Sequence, residues 1–382
     1  MCHGGAPDRS FATMEQAHAG MVRDPSAPGQ SGCLACHEED EPESACSMCH
    51  EAEADANRFS LHSRQWGYLT AIEDRCNCTF DGEGNPGYQA RCAGCHTTCG
   101  QCHVSRPNSV GGGFPKFGGV AYAGHRFSRT PDMNEQCTAC HGSRVGVDYK
   151  GELAGNLPDV HRDRGYKCEL CHKADEIHGD PSHTESNHYD HRYEVANMPR
   201  CEDCHGPGMD DGWDNPYHAA HVNGFAGDAN LQCQVCHSQP YKNCTNCHNL
   251  QTAAGESYDI EPSLAQLKIA RNPSPYRTEY DFALVRHTPI DPETFANWNL
   301  SLPGYLSKTT WQYTSPHNVR RWTEQTTVPE GASCSVTCHQ SPDGPEGFLL
   351  RESDLYDGQG APLVDYDANI GIVIREDFPG KK

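Results

Sequence analysis

The sequence predicts a protein of mostly irregular structure with short helices, and with minor β structure in its C-terminal segment. Three observations lead to this prediction. Only 36% of the 382 residues are hydrophobic, which is too few to build the two or three ordinary domains that this length allows. The 37 glycines and 26 prolines interrupt regular elements along the whole chain. Twenty of the 23 cysteines recur in one short motif that ends in histidine, with no fixed repeat period.

The motif is Cys-x-x-Cys-His, which occurs nine times, and a tenth copy carries one extra residue. Two thiols at this spacing form thioethers to a porphyrin, and the adjacent histidine ligates its iron, as in c-type haem. A single copy could equally bind zinc or cycle as a dithiol, but nine copies leave those interpretations almost no room. We therefore expect ten covalently bound haems, with the fold organised around a chain of them. The apoprotein should be largely unfolded, because the porphyrin faces would supply much of the buried apolar surface.

Each motif supplies two thioether cysteines and one proximal iron ligand. The expected thioether cysteines are Cys33, Cys36, Cys46, Cys49, Cys92, Cys95, Cys99, Cys102, Cys137, Cys140, Cys168, Cys171, Cys201, Cys204, Cys233, Cys236, Cys244, Cys247, Cys334 and Cys338. The expected proximal ligands are His37, His50, His96, His103, His141, His172, His205, His237, His248 and His339. Only two residues separate His96 from Cys99, so neighbouring haems should lie in near contact.

A second axial ligand for each iron can come from the histidines outside the motifs, of which there are thirteen among 23. Twelve of them are distal candidates: His3, His18, His62, His125, His161, His178, His188, His191, His218, His221, His287 and His317. His183 is the weakest of the thirteen, because it lies in a cluster of four in which one or two should not ligate. His218 and His221 are spaced i, i+3, so one helical turn would direct them toward different irons. Irons with a histidine at both axial positions should carry electrons rather than bind substrate.

We divide the chain into residues 1–250, which hold nine motifs, and residues 251–382, which hold the stretched tenth motif and some β structure. In the second part we predict a helix over Pro262–Arg271, β structure over Tyr280–Val285 and a strand over Ile370–Ile374. An alternating apolar tail of this kind could equally pair with the sheet edge of a neighbouring chain. The aromatic residues that precede the tenth motif should pack against the last haem; they are Trp311, Tyr313 and Trp322.

Three weaker patterns lie outside the haem motifs. Cys2-His3 resembles the end of an eleventh motif, and the alternative is that His3 ligates an iron of a neighbouring subunit. Cys76 and Cys78 flank a single residue and predict a local disulfide. The segment Asp81–Asn85 has the alternating oxygen donors of a calcium loop but lacks the later bidentate glutamate, so we favour a solvated turn over a calcium site.

The motif series between residues 33 and 339 resembles that of secreted multihaem c-type cytochromes. Within that group, the long stretch without motifs favours extracellular cytochrome filaments (microbial nanowires). That resemblance implies long-range electron transfer through bis-histidine haems and head-to-tail self-association. It also implies other cytochromes or extracellular electron acceptors as partners. One alternative is a decahaem conduit, periplasmic or at the outer surface, that does not polymerise.

The other alternative is a multihaem oxidoreductase with one open-site haem and a nitrogen or sulfur oxyanion as substrate. Multihaem nitrite reductases carry Cys-x-x-Cys-Lys, which is absent from this sequence. We therefore expect an electron carrier rather than an enzyme. The stretched motif Cys334–His339 is the natural place for an exception.

Charge and motif chemistry also bear on partners and location. The formal net charge is −22, and haem propionates would add to it, so nucleic acid and anionic membrane surfaces are poor partners. No run of eighteen apolar residues occurs, so we expect no transmembrane segment. The resemblance implies haem attachment outside the cytoplasm, hence a secreted, extracellular protein with the periplasm as the alternative. The first thirty residues contain no apolar signal core, so we expect the signal to have been removed or the start to be misnumbered.

Overall fold

The computed structural model describes residues 50–91, 99–103, 116–117, 120–121, 128–153, 155–206, 208–209, 215–222, 230–242, 264–288, 290–327, 330, 338–339, 343 and 347–375. These residues are mostly coil with short helices and a small three-stranded antiparallel sheet, as predicted. The longest helix among them has 11 residues. None of the described helices is long and apolar enough to cross a membrane.

Most of the described helices make only one or two turns. In chain order they are α1 (Glu51–Arg58), α2 (Leu61–Arg64), α3 (Trp66–Cys76), α4 (Pro86–Arg91), α5 (Cys99–His103), α6 (Thr138–His141), α7 (Val147–Lys150), α8 (Val160–Asp163), α9 (Cys168–Cys171), α10 (Ala174–His178), α11 (Pro216–His221), α12 (Gln234–His237) and α13 (Tyr366–Asn369). Two π-helical turns, Met133–Cys137 and Gly142–Gly146, flank α6. Short 3₁₀ turns cover Arg192–Glu194, Cys201–Asp203, Ala296–Trp298, Tyr305–Ser307 and Glu352–Leu355.

Local sequence signals explain where several helices begin and end. Asp159 and Asn215 are the N-cap residues of α8 and α11, and their side-chain oxygens accept backbone N–H groups of the first turn. Pro216 occupies the first helical position of α11, where its missing N–H costs nothing. Gly151 ends α7 with a φ of 65°, a left-handed conformation that suits glycine.

The sheet has the strand order β3-β4-β5, where β3 is Leu267–Arg271, β4 is Phe282–His287 and β5 is Trp311–Tyr313. The two described strands that precede it, β1 (Lys116–Phe117) and β2 (Val120–Ala121), form a small antiparallel pair. Successive side chains of a strand point to opposite faces, and both faces of the sheet are apolar. One face carries the cluster Leu231, Val235, Ile269, Phe282, Leu284, Leu349 and Ile374. The other carries Ala270, Val285, Trp311, Leu350, Leu355, Ile372 and Val373.

This sheet confirms one prediction and overturns another. The expected β structure over Tyr280–Val285 is confirmed, because β4 covers most of it. The helix predicted over Pro262–Arg271 is wrong where the structure describes that range, because Leu267–Arg271 is β3. Ile269 pairs in register with Leu284, and both are buried. Tertiary pairing with β4 has therefore overridden a helical pattern in the local sequence.

The strand predicted over Ile370–Ile374 is also wrong. Residues 370–372 form a turn after α13, and the residues that follow are extended without joining a strand. The carbonyl of Ile372 accepts the Arg271 N–H at 2.9 Å, and the Ile374 N–H donates to the Leu350 carbonyl at 2.9 Å. Both isoleucines are buried, so this apolar segment packs into its own chain rather than presenting an edge to a neighbour.

The chain forms two compact units. The first unit comprises Met1–Thr70, Asp81–Ser143 and Lys167–Met198, and the second comprises Ala71–Phe80, Arg144–Tyr166 and Pro199–Lys382. By sequence position, the first six motifs belong to the first unit and the last four to the second. The predicted division at residue 250, which rests on the distribution of the motifs, stays a prediction.

Candidate functional site

Five motif histidines each lie opposite one distal candidate. The pairs are His62–His141 and His103–His178 in the first unit, and His161–His205, His218–His237 and His221–His339 in the second. Their ring centres are 5.9 to 6.2 Å apart, whereas the angle between the ring planes ranges from 29° to 77°. Rings that stack on each other would share an angle between their planes as well as a distance between their centres. In these pairs the distance between ring centres is nearly constant while the angle varies. This indicates that each pair is arranged about a common centre.

The spacing of these pairs fits two axial ligands on one metal centre. An imidazole nitrogen ligates a transition metal at roughly 2 Å and its ring centre lies about 1 Å further back, so two opposed ligands have ring centres about 6 Å apart. The observed pairs match that value. Haem iron, which leaves two axial positions to the protein, is therefore a group that these residues fit.

Hydrogen bonds at Nδ1 fix the orientation of five histidines. Three donate to backbone carbonyls: His103 to Ser128 at 2.6 Å, His221 to Tyr217 at 2.7 Å and His237 to Arg320 at 3.0 Å. Two donate to carboxylates: His161 to Asp159 at 3.1 Å and His172 to Glu176 at 2.9 Å. Carbonyl and carboxylate oxygens only accept, so Nδ1 carries the proton and Nε2 keeps its lone pair. Metal-ligating histidines are held in this way.

Burial keeps several of these imidazoles in the neutral, ligating form. It lowers the pKa of His62 and of His178 in the first unit, and the pKa of His237 in the second. A protonated imidazole cannot ligate a metal. The environment of these rings therefore favours the neutral imidazole, which is the form that a metal site would need.

In the second unit, part of the stretch without motifs contacts predicted ligands and their neighbours. Asp159 is 1% exposed; one carboxylate oxygen accepts the His161 backbone N–H at 2.7 Å, and the other accepts the Val319 N–H at 2.8 Å. Asn318 is fully buried and donates to the Leu157 carbonyl at 2.8 Å. Arg320 supplies the carbonyl that orients His237. Sequence reasoning missed Asn318 and Arg320, because they lie far along the chain from the residues they contact.

The eighth motif is anchored in the sheet. Val235, its third residue, is 2% exposed and belongs to the same cluster as Leu284. Gln232, just ahead of the motif, accepts the Leu284 N–H at 2.9 Å and donates to the Thr314 carbonyl at 3.0 Å. The attachment site therefore rests on an apolar core that the sheet supplies.

Helix α11 shows how one turn serves two sites. His218 faces His237, and His221 faces His339. The predicted i, i+3 arrangement, with one helical turn reaching toward two different sites, is therefore confirmed in its geometry. The second contact brings a distal candidate opposite the histidine of the stretched tenth motif.

Eleven motif cysteines lie in the described residues, and none of them is in a disulfide. Cys137 and Cys168 hydrogen-bond to each other, which raises the pKa of Cys137 and lowers that of Cys168 to about 7. The same contact between Cys233 and Cys201 raises the pKa of Cys233 and lowers that of Cys201. Thiols of motifs five and six are thus adjacent, as are thiols of motifs seven and eight. Across the described residues, no three His, Cys, Asp or Glu side chains form a group that could hold a metal ion.

Two distal candidates are engaged elsewhere. His188 stacks on Trp66 with ring centres 3.3 Å apart, and its Nε2 lies 3.1 Å from the Asp190 carboxylate. His287 Nε2 lies 3.1 Å from the Asp365 carboxylate. In both cases the nitrogen that would face an iron already bonds to an acid, which argues against the predicted ligand role.

The remaining described histidines are not in the five pairs. His191 accepts the Tyr193 N–H on Nδ1 at 3.2 Å, which leaves its proton on Nε2 and argues against ligation through that atom. Among the paired rings, His218 accepts the Asn215 side-chain N–H on Nδ1 at 3.0 Å, so that bond must be given up before its Nε2 could ligate a metal. His317 is exposed, and its backbone N–H donates to Asp148. His183 meets the edge of the Tyr189 ring. His50, a predicted proximal ligand, immediately precedes α1.

The weaker patterns have clear outcomes. The predicted disulfide is confirmed, because Cys76 and Cys78 are bonded to each other. Asp81 accepts the Gly84 N–H at 2.8 Å, which forms the turn that was favoured over a calcium site. Asn85, at the end of that segment, caps α4.

The aromatic residues before the tenth motif lie in two environments, and their packing against a haem stays a prediction. Trp311 and Tyr313 belong to β5 and are buried in the sheet. Trp322 is 68% exposed.

The other predicted positions lie outside the described residues. They are Cys2, His3, His18, Cys33, Cys36, His37, Cys46, Cys49, Cys92, Cys95, His96, His125, Cys244, Cys247, His248 and Cys334. Comparison with known proteins gave no match: no family model, no curated protein and no solved structure is similar to this chain.

Proposed function

We propose that this chain is an electron carrier, with ten c-type haems held by the motifs and with two axial histidines at each iron. The five histidine pairs at 5.9 to 6.2 Å carry the proposal. Bound haem would supply a reversible one-electron couple. The role of the chain is to hold the cofactor by thioethers, to fill both axial positions and so to leave no position for substrate.

One pair favours a carrier over an oxidoreductase. The stretched motif is the natural place for an open haem, yet His339 faces His221 with ring centres 6.0 Å apart. A distal imidazole there would close the position that a nitrogen or sulfur oxyanion needs. The alternative of an open-site enzyme therefore loses its best candidate.

The thiol contacts support close spacing of the cofactors. Cys137 lies against Cys168 within the first unit, and Cys201 lies against Cys233 within the second. Cofactors attached at adjacent thiols would have neighbouring edges. Electron transfer along the chain, within each unit, would use such neighbours.

The motif resemblance extends the proposal to an extracellular protein that assembles head to tail into a filament. His3 and His18 are the candidates that could ligate an iron of the next copy. A heterologous, non-closing interface produces such a filament. Imaging of the purified native protein tests this part: continuous filaments are expected, whereas discrete particles would favour the conduit that does not polymerise.

A matched pair of variants tests the carrier proposal. His161→Ala should convert one low-spin iron into a five-coordinate, high-spin iron that binds carbon monoxide, because it removes a facing imidazole. His188→Ala should leave the spectrum unchanged, because that ring stacks on Trp66. Wild-type protein should show only low-spin spectra. Rapid carbon monoxide binding at one wild-type haem would restore the oxidoreductase, and an unchanged spectrum in the first variant would remove the pair assignment.

A further inference from the structure

We propose that the chain sets unequal reduction potentials through the hydrogen-bond acceptor behind each ligating histidine, with Asp159 and Glu176 lowering the potentials of the irons that His161 and His172 would bind. The inference rests on the proposed function, because it assumes that these histidines are haem ligands. It assigns a positioning role to residues that touch the ligands and not the cofactor.

Five of the described candidate ligands donate a proton from Nδ1, and they fall into two classes by what accepts it. His161 and His172 donate to carboxylates, whereas other ligand histidines donate to backbone carbonyls. A carboxylate carries a full negative charge, and its hydrogen bond to an N–H is about twice as strong as that of a neutral acceptor. It draws the proton toward itself and makes the imidazole a stronger electron donor. A stronger donor stabilises the oxidised iron and lowers its potential.

Both carboxylates are held in place. The side chain of Asp159 is 2% exposed and that of Glu176 is 9% exposed, so little water competes for either. The two oxygens of Glu176 lie 2.9 and 3.0 Å from His172 Nδ1, and the acid is four residues further along the chain. Asp159 is fixed by backbone N–H groups on both oxygens. These acids therefore act on the ligand at a fixed distance.

The second unit also contains a position where a donor, not an acceptor, faces Nδ1. Asn215 donates its side-chain N–H to His218 Nδ1 at 3.0 Å, and its oxygen accepts the N–H groups of Tyr217 and His218. Asn215→Asp keeps the size and the cap, since both residues are good N-caps. It would replace that N–H donor by a carboxylate oxygen, which would hold the proton on Nδ1 and leave the Nε2 lone pair free. The chain thus offers two substitutions that remove a negative charge beside a ligand and one that adds a negative charge.

The inference is tested by potentiometric titration of the full, haem-loaded chain, in which optical and electron paramagnetic resonance spectra monitor each low-spin component. Asp159→Asn and Glu176→Gln should each raise the potential of one low-spin component, and Asn215→Asp should lower one. The expected change is about tenfold in the reduction equilibrium, or about 59 mV for one electron. A merely structural role would not produce opposite signs from isosteric substitutions.

The outcomes separate the two proposals. Unchanged potentials in Glu176→Gln and Asn215→Asp, with full haem content and low-spin spectra, would overturn this inference alone. Those two variants decide it even where Asp159→Asn fails to fold, because that acid also holds backbone groups. Wild-type protein that lacks haem or low-spin iron would instead overturn the proposed function.

Discussion

The sheet region, which we define as β3, β4, β5 and residues 347–375, and the first unit are stabilised in different ways. The sheet region buries large apolar side chains on both faces, among them Leu284, Leu349 and Leu350. In the described part of the first unit the buried apolar side chains are few, and two of the five are alanines: Ala54, Ala56, Tyr88, Met133 and Tyr193. Its other buried positions include polar side chains such as Asn57 and Ser63. Apolar burial is the main favourable term in folding, so the first unit should depend more on the proposed haems.

This difference explains what the stretch without motifs contributes. Residues 264–327 contain no motif, yet their strands and turns contact motif residues of the second unit. Val235 of the eighth motif lies in its core, and Arg320 orients His237. The first unit has no described sheet of comparable size. Cofactor loading should therefore matter unequally for the two regions.

Production of the chain without haem should have the largest effect. We expect the motif helices of the first unit, such as α5 and α6, to lose protection from hydrogen exchange, because the proposed haems would fill the space between their histidines and the facing rings. Strand β4 should remain protected by its apolar neighbours. The expected difference between these segments is about thousandfold, which corresponds to about 4 kcal/mol of local opening free energy. Hydrogen exchange with mass spectrometry measures both segments in one sample, and equal exchange in both would contradict the comparison.

Removal of a buried amide should have the next largest effect. Asn318 donates to the carbonyls of Asp148 and Leu157, both at 2.8 Å. Asn318→Ala leaves these buried acceptors without that donor, at a cost of roughly 2–4 kcal/mol in the free energy of unfolding. It should also disturb the low-spin signal of the iron assigned to His161, because the same turn holds Asp159. Chemical denaturation and electron paramagnetic resonance measure the two effects.

Asn156→Ala is the control for that substitution. Asn156 is next to Leu157, whose carbonyl Asn318 binds. The Asn156 side chain donates to the Pro240 carbonyl at an exposed position. Loss of an exposed hydrogen bond should cost about 0.5 kcal/mol. Equal losses in the two variants would mean that the stretch around Asn318 does not hold the ligand segment.

The sequence predicted what depends on local spacing. The i, i+3 spacing of His218 and His221 sufficed to place them on one turn with two separate partners. An apolar run sufficed for β4. A disulfide across one residue needs no tertiary information, and Cys76 forms it with Cys78.

What the sequence could not predict depends on residues distant along the chain. His188 looked like any other candidate, but Trp66 and Asp190 engage it. Asp159 binds the Val319 N–H across 160 residues, a contact that has no local signal. The helical pattern ahead of β4 failed for the same reason, since Ile269 gains more by pairing with Leu284 than by local turns.

The third residue of two motifs offers the smallest and most closely matched test. Val235 in motif eight is 2% exposed and packs in the sheet cluster, whereas Leu170 in motif six is 46% exposed. Val235→Ala should lower the free energy of unfolding of the haem-loaded protein by roughly 1–3 kcal/mol, from lost burial and the cavity that remains. Leu170→Ala should change it by less than about 0.5 kcal/mol. The third motif residue would then contribute to the free energy of unfolding where it packs against the sheet, and would contribute little where it is exposed. A larger loss for Leu170→Ala would mean that the first unit has an apolar core of its own at that motif.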